Sequence, residues 1–117
     1  MKSYTDIKQS KVLSKILPLE SADMCYRYYS GGMITGYGDC VLAKSFITGK
    51  NVIRENDLPC WSLAALLKAL PKIYNLKPLL DLEENSIIYT GYIDVTANNP
   101  VDACVKMIIR LNELNLL

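Results

Sequence analysis

The sequence predicts an α+β domain: a mainly antiparallel sheet of about four strands packed against about three helices, in the order α-β-β-α-β-β-α. Three observations carry this reading. Segments with helical spacing of apolar residues recur at the start, middle and end of the chain, each with its own start or stop signal. Between them lie paired segments rich in strand-forming residues, separated by turn-forming clusters. Most connections between consecutive strands are too short for the crossover that a parallel pair requires.

The first helix is expected over about residues 6–17. There Val12, Leu13, Ile16 and Leu17 fall on one stripe, Lys8, Lys11 and Lys15 form a separate polar edge, and Pro18 stops the segment. Residues 24–29, Met-Cys-Tyr-Arg-Tyr-Tyr, read as a strand. Residues 30–39 hold four of the six glycines and read as a long loop, followed by a second strand at about 41–47 and a turn at 48–51. Ser62 is a good N-cap for the middle helix, with Trp61 and Leu66 spaced for a hydrophobic staple and Pro71 at its end. Only Lys68 is charged in that helix, so it is expected to be the core element, covered on several sides.

Residues 77–95 read as a hairpin in which Leu80 and Leu82 alternate with Asp81 and Glu83. Glu84-Asn85 turns the chain into a strand over 87–93. The last helix opens with Asn99 as N-cap and Pro100 at its first position and runs to about Leu114. Val101, Cys104, Val105, Ile108 and Leu111 define its apolar face. Asp102, Lys106, Arg110 and Glu113 define a solvated one, with Asp102 and Lys106 as an i,i+4 pair. No repeat or low-complexity linker divides the chain, so residues 1–117 are expected to form a single domain.

Composition narrows the chemistry. The chain has 117 residues, 50% of them apolar, which suits a chain that buries a core rather than a disordered one. Thirteen Lys+Arg against twelve Asp+Glu leave a net charge of +1, far from the balance of a phosphate-driven nucleic-acid binder. The longest apolar run is residues 63–67, far short of the roughly 20 residues that a membrane-spanning helix needs. The first residues show no signal-peptide pattern, so a cytoplasmic protein is expected.

Histidine is absent. That removes Ser-His-Asp and Cys-His nucleophile arrangements and histidine-bearing zinc sites. Cys25, Cys40, Cys60 and Cys104 form no Cys-x-x-Cys pair and read as free thiols acting as small core hydrophobes. The glycine-rich stretch matches neither the dinucleotide fingerprint nor the P-loop. The carboxylates Asp81, Glu83, Glu84 and Asp94 sit on or beside the hairpin turn, where solubilising charge is the ordinary reading. Cys25 and Arg27 would share a strand face, a weak basis for a nucleophile. A non-enzymatic protein without a cofactor is therefore expected.

The strongest binding signal is aromatic. Tyr26, Tyr28, Tyr29 and Tyr37 supply half of the eight tyrosines and are interleaved with Arg27. On a strand Tyr26 and Tyr28 share one face, and Arg27 and Tyr29 the other. Tyrosines also favour half-buried strands for structural reasons alone. As a binding surface the segment suits a protein interface, where Tyr and Arg are favoured anchors. A second copy of the chain is one candidate partner. Base stacking on a nucleic acid is the alternative, and carboxylate or cysteine enzymology a more distant one.

Two segments carry a resemblance. Leu58-Pro59-Cys60-Trp61-Ser62-Leu63-Ala64-Ala65-Leu66-Leu67-Lys68-Ala69-Leu70-Pro71 resembles an "IPxWSLxALLxLLP" block, and residues 99–108, beginning Asn99-Pro100-Val101-Asp102-Ala103, resemble an "NPVDAxxxMxxxL" helix. Both are found in small uncharacterised proteins of phages, prophages and mobile elements, notably of gut Bacteroidetes. Ser21-Ala22-Asp23-Met24 ahead of a tyrosine-containing strand fits the same layout. The resemblance implies a genetic context and brings no site residue with it.

Overall fold

The computed structural model describes residues 2–31, 33, 35–45 and 47–117. Helix α1 (Ile7–Leu13) starts at Asp6. Asp6 Oδ1 accepts from Gln9 N at 2.8 Å while Gln9 Oε1 accepts from Asp6 N at 3.1 Å, a reciprocal box that satisfies donors left over by the first turn. The helix is shorter than its apolar spacing predicts. Leu13 O accepts from both Ile16 N and Leu17 N, which winds residues 14–16 into a closing turn. Leu13 and Leu17 are buried, whereas Val12 is exposed. A 3₁₀ turn, Leu19–Ser21, leads into strand β1 (Met24–Tyr29).

β1 is the centre of a three-stranded antiparallel sheet, between β2 (Gly36–Leu42) and β3 (Leu58–Cys60). The second strand therefore begins inside the stretch that reads as a loop and ends before residue 47; positions 32, 34 and 46 of the expected loop and strand lie outside the described residues. Its glycines are strand glycines. Gly36 pairs with Tyr29 at φ +135°, open to glycine and costly for other residues. Gly38 lies beneath the Tyr29 ring, where a Cβ would come 2.5 Å from Cε2. Tyr26 pairs with Cys40 and Tyr28 with Tyr37, so Gly38 and Asp39 together face the single Arg27 as a β-bulge. The expected turn at 48–51 is present, with Gly49 at φ +68°.

Helix α2 (Leu63–Ala69) begins at Ser62, whose Oγ accepts from Ala65 N at 3.2 Å. Asp23 in turn accepts from Ser62 N at 2.9 Å and from the Ser62 hydroxyl. Trp61 and Leu66, the staple pair, are both fully buried in the main core. Ala64 and Lys68 face solvent, so α2 is one wall of the core and not its centre.

A second antiparallel sheet of three strands follows: β4 (Leu79–Asp81), β5 (Ser86–Tyr89) and β6 (Ile93–Thr96). Two features break the expected two-strand hairpin. Asp81 Oδ1 accepts from Glu83 N at 3.0 Å and Glu84 N at 3.3 Å, which ends β4 and leaves Leu82 exposed in the turn. Gly91, at φ +74°, lets Tyr92 N reach Tyr89 O at 2.9 Å and folds the expected 87–93 strand back on itself.

Helix α3 (Pro100–Glu113) is the core element. It buries eight residues, among them Val101, Cys104, Ile108 and Leu111, against α2, β5, β6 and α1. Each large aliphatic among them contributes roughly 1.5–3 kcal/mol by leaving water. The Asp102–Lys106 pair does not form. Asp102 instead accepts from Lys2 Nζ, Gln9 Nε2 and Asn99 Nδ2, each at 2.8 Å, and Lys106 Nζ donates to Thr96 O at 3.0 Å.

The described residues thus form an α+β fold with three α-helices and six strands in two sheets, where the sequence predicts one sheet of about four. The helices divide between the sheets: α3 packs on the second, and α1 packs on β3 of the first. No helix among the described residues is long and apolar enough to cross a membrane.

Candidate functional site

Alternation along β1 separates the aromatic segment into two faces. On the inner face Tyr26 is buried, in a small cluster with Leu58 and Cys60 against which Met24, Tyr37 and Cys40 pack. Its hydroxyl donates to Thr5 O at 2.7 Å. Tyr28 and Tyr37, a cross-strand pair, meet edge-to-face with centroids 5.5 Å apart, and Lys11 Nζ of α1 lies 5.8 Å from the Tyr37 centroid. Tyr26 therefore belongs to the interior. Tyr28 and Tyr37 join the hairpin strands to each other.

Thr5 is the hub beneath this face. Its Oγ1 lies 2.8 Å from Ser10 Oγ, accepts from Trp61 N at 3.2 Å and donates to Cys60 Sγ at 3.4 Å. Cys60 Sγ in turn donates to Thr5 O at 3.3 Å. No sequence signal marks Thr5, because neither its spacing nor its neighbours announce a buried hydroxyl.

The outer face holds the other two predicted residues. Arg27 and Tyr29 line a shallow depression with Val41, Leu42, Val52 and Arg54. A second depression toward the hairpin tip shares Tyr29 and Val41 and adds Met33. Tyr29 is 52% exposed and Val41 37%, so the two depressions join in one largely apolar surface across β1 and β2; Leu42, paired with Met24, projects to the other face.

Asp57 sets the electrostatics of this surface. Its side chain is 1% exposed, yet it accepts from Arg27 Nη1 at 2.7 Å, Tyr28 N at 2.9 Å, Arg54 N at 2.9 Å and Arg54 Nε at 3.4 Å. Burial alone would raise its carboxyl. The backbone donors of Tyr28 and Arg54, with the two guanidiniums, outweigh burial and hold it below the ordinary carboxylate range. Arg27 Nη1 also donates to Val52 O at 3.1 Å, so its charge is fixed inside the clasp. Arg54 is 60% exposed at its side chain and brings positive charge to the rim of the apolar face.

The acids Asp81, Glu83, Glu84 and Asp94 stay at the second sheet and its turn and line neither depression. All four cysteines are free thiols. Burial pushes the Cys25 thiol up and takes that of Cys104 to about 12, so both remain protonated at neutral pH. Among the described residues no group of three or more cysteine or acidic side chains could hold a metal ion. No protein-family model, curated protein or solved structure matches the chain.

Proposed function

We propose that this chain is a non-enzymatic protein that acts through contact with another protein, using the outer face of its first sheet. The observation that carries the reading is the exposed apolar strip of Tyr29, Val41 and Val52, rimmed by Arg54 and fastened by the Arg27–Asp57 clasp. Exposed apolar area on a fixed sheet, with Tyr and Arg as anchors, suits a protein interface. The complementary partner segment is apolar, with an acidic group to meet Arg54. A cytoplasmic protein of phage or mobile-element type is the context that the two family-like segments support.

A non-enzymatic role is supported by how the reactive groups are used. The buried carboxylate Asp57 is saturated with structural donors, and the buried thiols are held protonated. Nucleic-acid binding is the competing reading. Neutralisation of Arg27 by Asp57 weighs against it, because phosphate binding draws on uncompensated cations.

The test compares wild type with Tyr29→Asp and Val41→Asp, both at exposed positions of the outer face. Sedimentation velocity reads self-association and cross-linked affinity capture reads a heterologous partner. Loss of either complex in the variants, with unchanged circular dichroism, is the expected result. Complexes that survive both substitutions would sink the proposal, and so would a salt-sensitive gel shift on DNA without any protein complex.

A further inference from the structure

Strand β2 is an edge strand whose outer side is open. Ala43 N donates to Asp23 O at 3.0 Å, and Pro59, which has no N–H, stands opposite Cys25 on the β3 side. Tyr28 N likewise points to the β3 side, where it meets Asp57. Alternation then turns the backbone groups of Cys25 and its partner Val41 toward each other. The N–H and C=O groups of Cys40 and Leu42 therefore point away from β1, and among the described residues no other segment bonds to them. The other edges are guarded. Tyr4 and Thr5 bond to the chain just past β3, and β4 and β6 are three and four residues long.

Exposed apolar side chains stand on both faces of this open edge. Val41 is on the outer face beside Tyr29, and Leu42, paired with Met24, is 60% exposed on the other. A partner laid on one face covers only one of them. An added strand covers both, because its side chains also alternate. Charge marks the two ends of the same stretch. Asp39 precedes it and Lys44 follows it, both exposed and neither in an ion pair among the described residues.

We infer that β2 pairs antiparallel with β2 of a second copy of this chain, about a two-fold axis at Val41. In that register Val41 faces Val41 of the partner subunit, and Cys40 exchanges backbone N–H···O=C bonds with Leu42 of the partner subunit. Asp39 comes beside the end of the partner strand that carries Lys44, so opposite charges meet at both ends of the pairing. The two sheets join into one that runs from β3 to β3, and the apolar strips of both copies become continuous on its outer face. The bulge at Gly38 and Asp39 and the bend at Ala43 end the pairing, which fixes its register and keeps the interface small. The dimer is therefore weak and concentration-dependent. This inference rests on the protein-contact reading above and names its partner.

The test follows wild type from micromolar to millimolar concentration by sedimentation velocity and by amide hydrogen exchange. Exchange at Cys40 and Leu42 should slow about tenfold or more as the dimer fills, while Val41, already bonded to β1, stays unchanged. Leu42→Pro deletes an N–H that the single chain does not use and should weaken the dimer about tenfold or more. Leu42→Lys keeps the amide, adds charge at the edge and should weaken it too. If Leu42→Pro unfolds, the wild-type exchange pattern and Leu42→Lys decide the matter. A chain that stays monomeric throughout overturns the inference and leaves the outer face to a different protein. A dimer that survives both Leu42 variants, dissolves with Tyr29→Asp and leaves the Cys40 and Leu42 amides fast also overturns it, since the faces and not the edges then meet.

Discussion

Arg27 and Asp57 are thirty residues apart in the chain and 2.7 Å apart in space. Their contact fastens the segment after β2 to the middle of β1. The same carboxylate accepts from Tyr28 N and Arg54 N, so one buried side chain orders both the strand and the connection that runs beside it. The outer apolar face depends on this clasp, because Val52 and Arg54 reach it only along the fastened segment.

Asp57→Asn should cost about 2 kcal/mol at neutral pH, since it leaves donors to a charged acceptor partly unpaired. Its pH dependence follows from the depressed carboxyl. The unfolded chain binds this proton at higher pH than the folded one, so the stabilisation is complete above about pH 4 and is lost as pH falls through the folded value. Urea melts from neutral pH down to the acid limit should show a gap between wild type and Asp57→Asn that narrows below pH 4. A gap that stays constant would mean the carboxylate charge does not matter.

Gly36 and Gly38 should respond differently to alanine. At Gly36 a Cβ meets nothing within 4 Å, but the backbone φ of +135° is strained for any other residue, so a loss on the order of 1–3 kcal/mol is expected. At Gly38 the obstacle is the Tyr29 ring, the far end of a half-exposed side chain that can swing away. Gly38→Ala should therefore change stability by less than about 1 kcal/mol. It should displace Tyr29 and weaken any complex formed on the outer face. Thermal melts of the two variants, with tyrosine ring shifts read by NMR, separate the cases.

The two glycines also explain where the sequence was legible. A cluster of four glycines looks like a loop when turn propensity is the only guide. Gly38 is instead required by a ring from the neighbouring strand, a tertiary fact absent from local pattern. The same holds at Leu58-Pro59-Cys60, which becomes a strand only because β1 offers it an edge. By contrast Ser62 and Asn99 cap the helices they announce, because a cap acts within three residues of itself. The alternation that puts Tyr26 and Tyr28 opposite Arg27 and Tyr29 is equally local. Which of those faces would be covered was not, since α1 and the Thr5 hub decide it.

Asp102 shows the same limit for charge. Spacing pairs it with Lys106, but Lys2 reaches it from across the fold at 2.8 Å. Burial would raise the Asp102 carboxyl, yet the bonds from Lys2, Gln9 and Asn99 outweigh that and hold it low. Lys2→Ala should cost up to about 1 kcal/mol, and less at high salt. Lys106→Ala, which removes only one bond to Thr96 O at an exposed site, should lie within about 0.5 kcal/mol of wild type. Chemical denaturation at low and high salt tests both, and equal effects would restore the i,i+4 assignment.

Thr5→Val is the most informative core substitution. It keeps the volume near constant and deletes the hydroxyl that Ser10 Oγ, Trp61 N and Cys60 Sγ all use. Both Thr5 and Ser10 are fully buried, so a lost partner cannot be replaced by solvent without opening the packing. The expected loss is about 2–3 kcal/mol, most of it from leaving the Ser10 hydroxyl and the Trp61 amide unpaired. Adding Ser10→Ala removes one of those orphaned groups. The Thr5→Val/Ser10→Ala double variant should then be less destabilised than the sum of the two single variants, by about 1 kcal/mol of coupling. Strict additivity in urea melts would show that the hydroxyl pair contributes nothing as a pair, leaving Thr5 valued only for its bonds to Trp61 and Cys60.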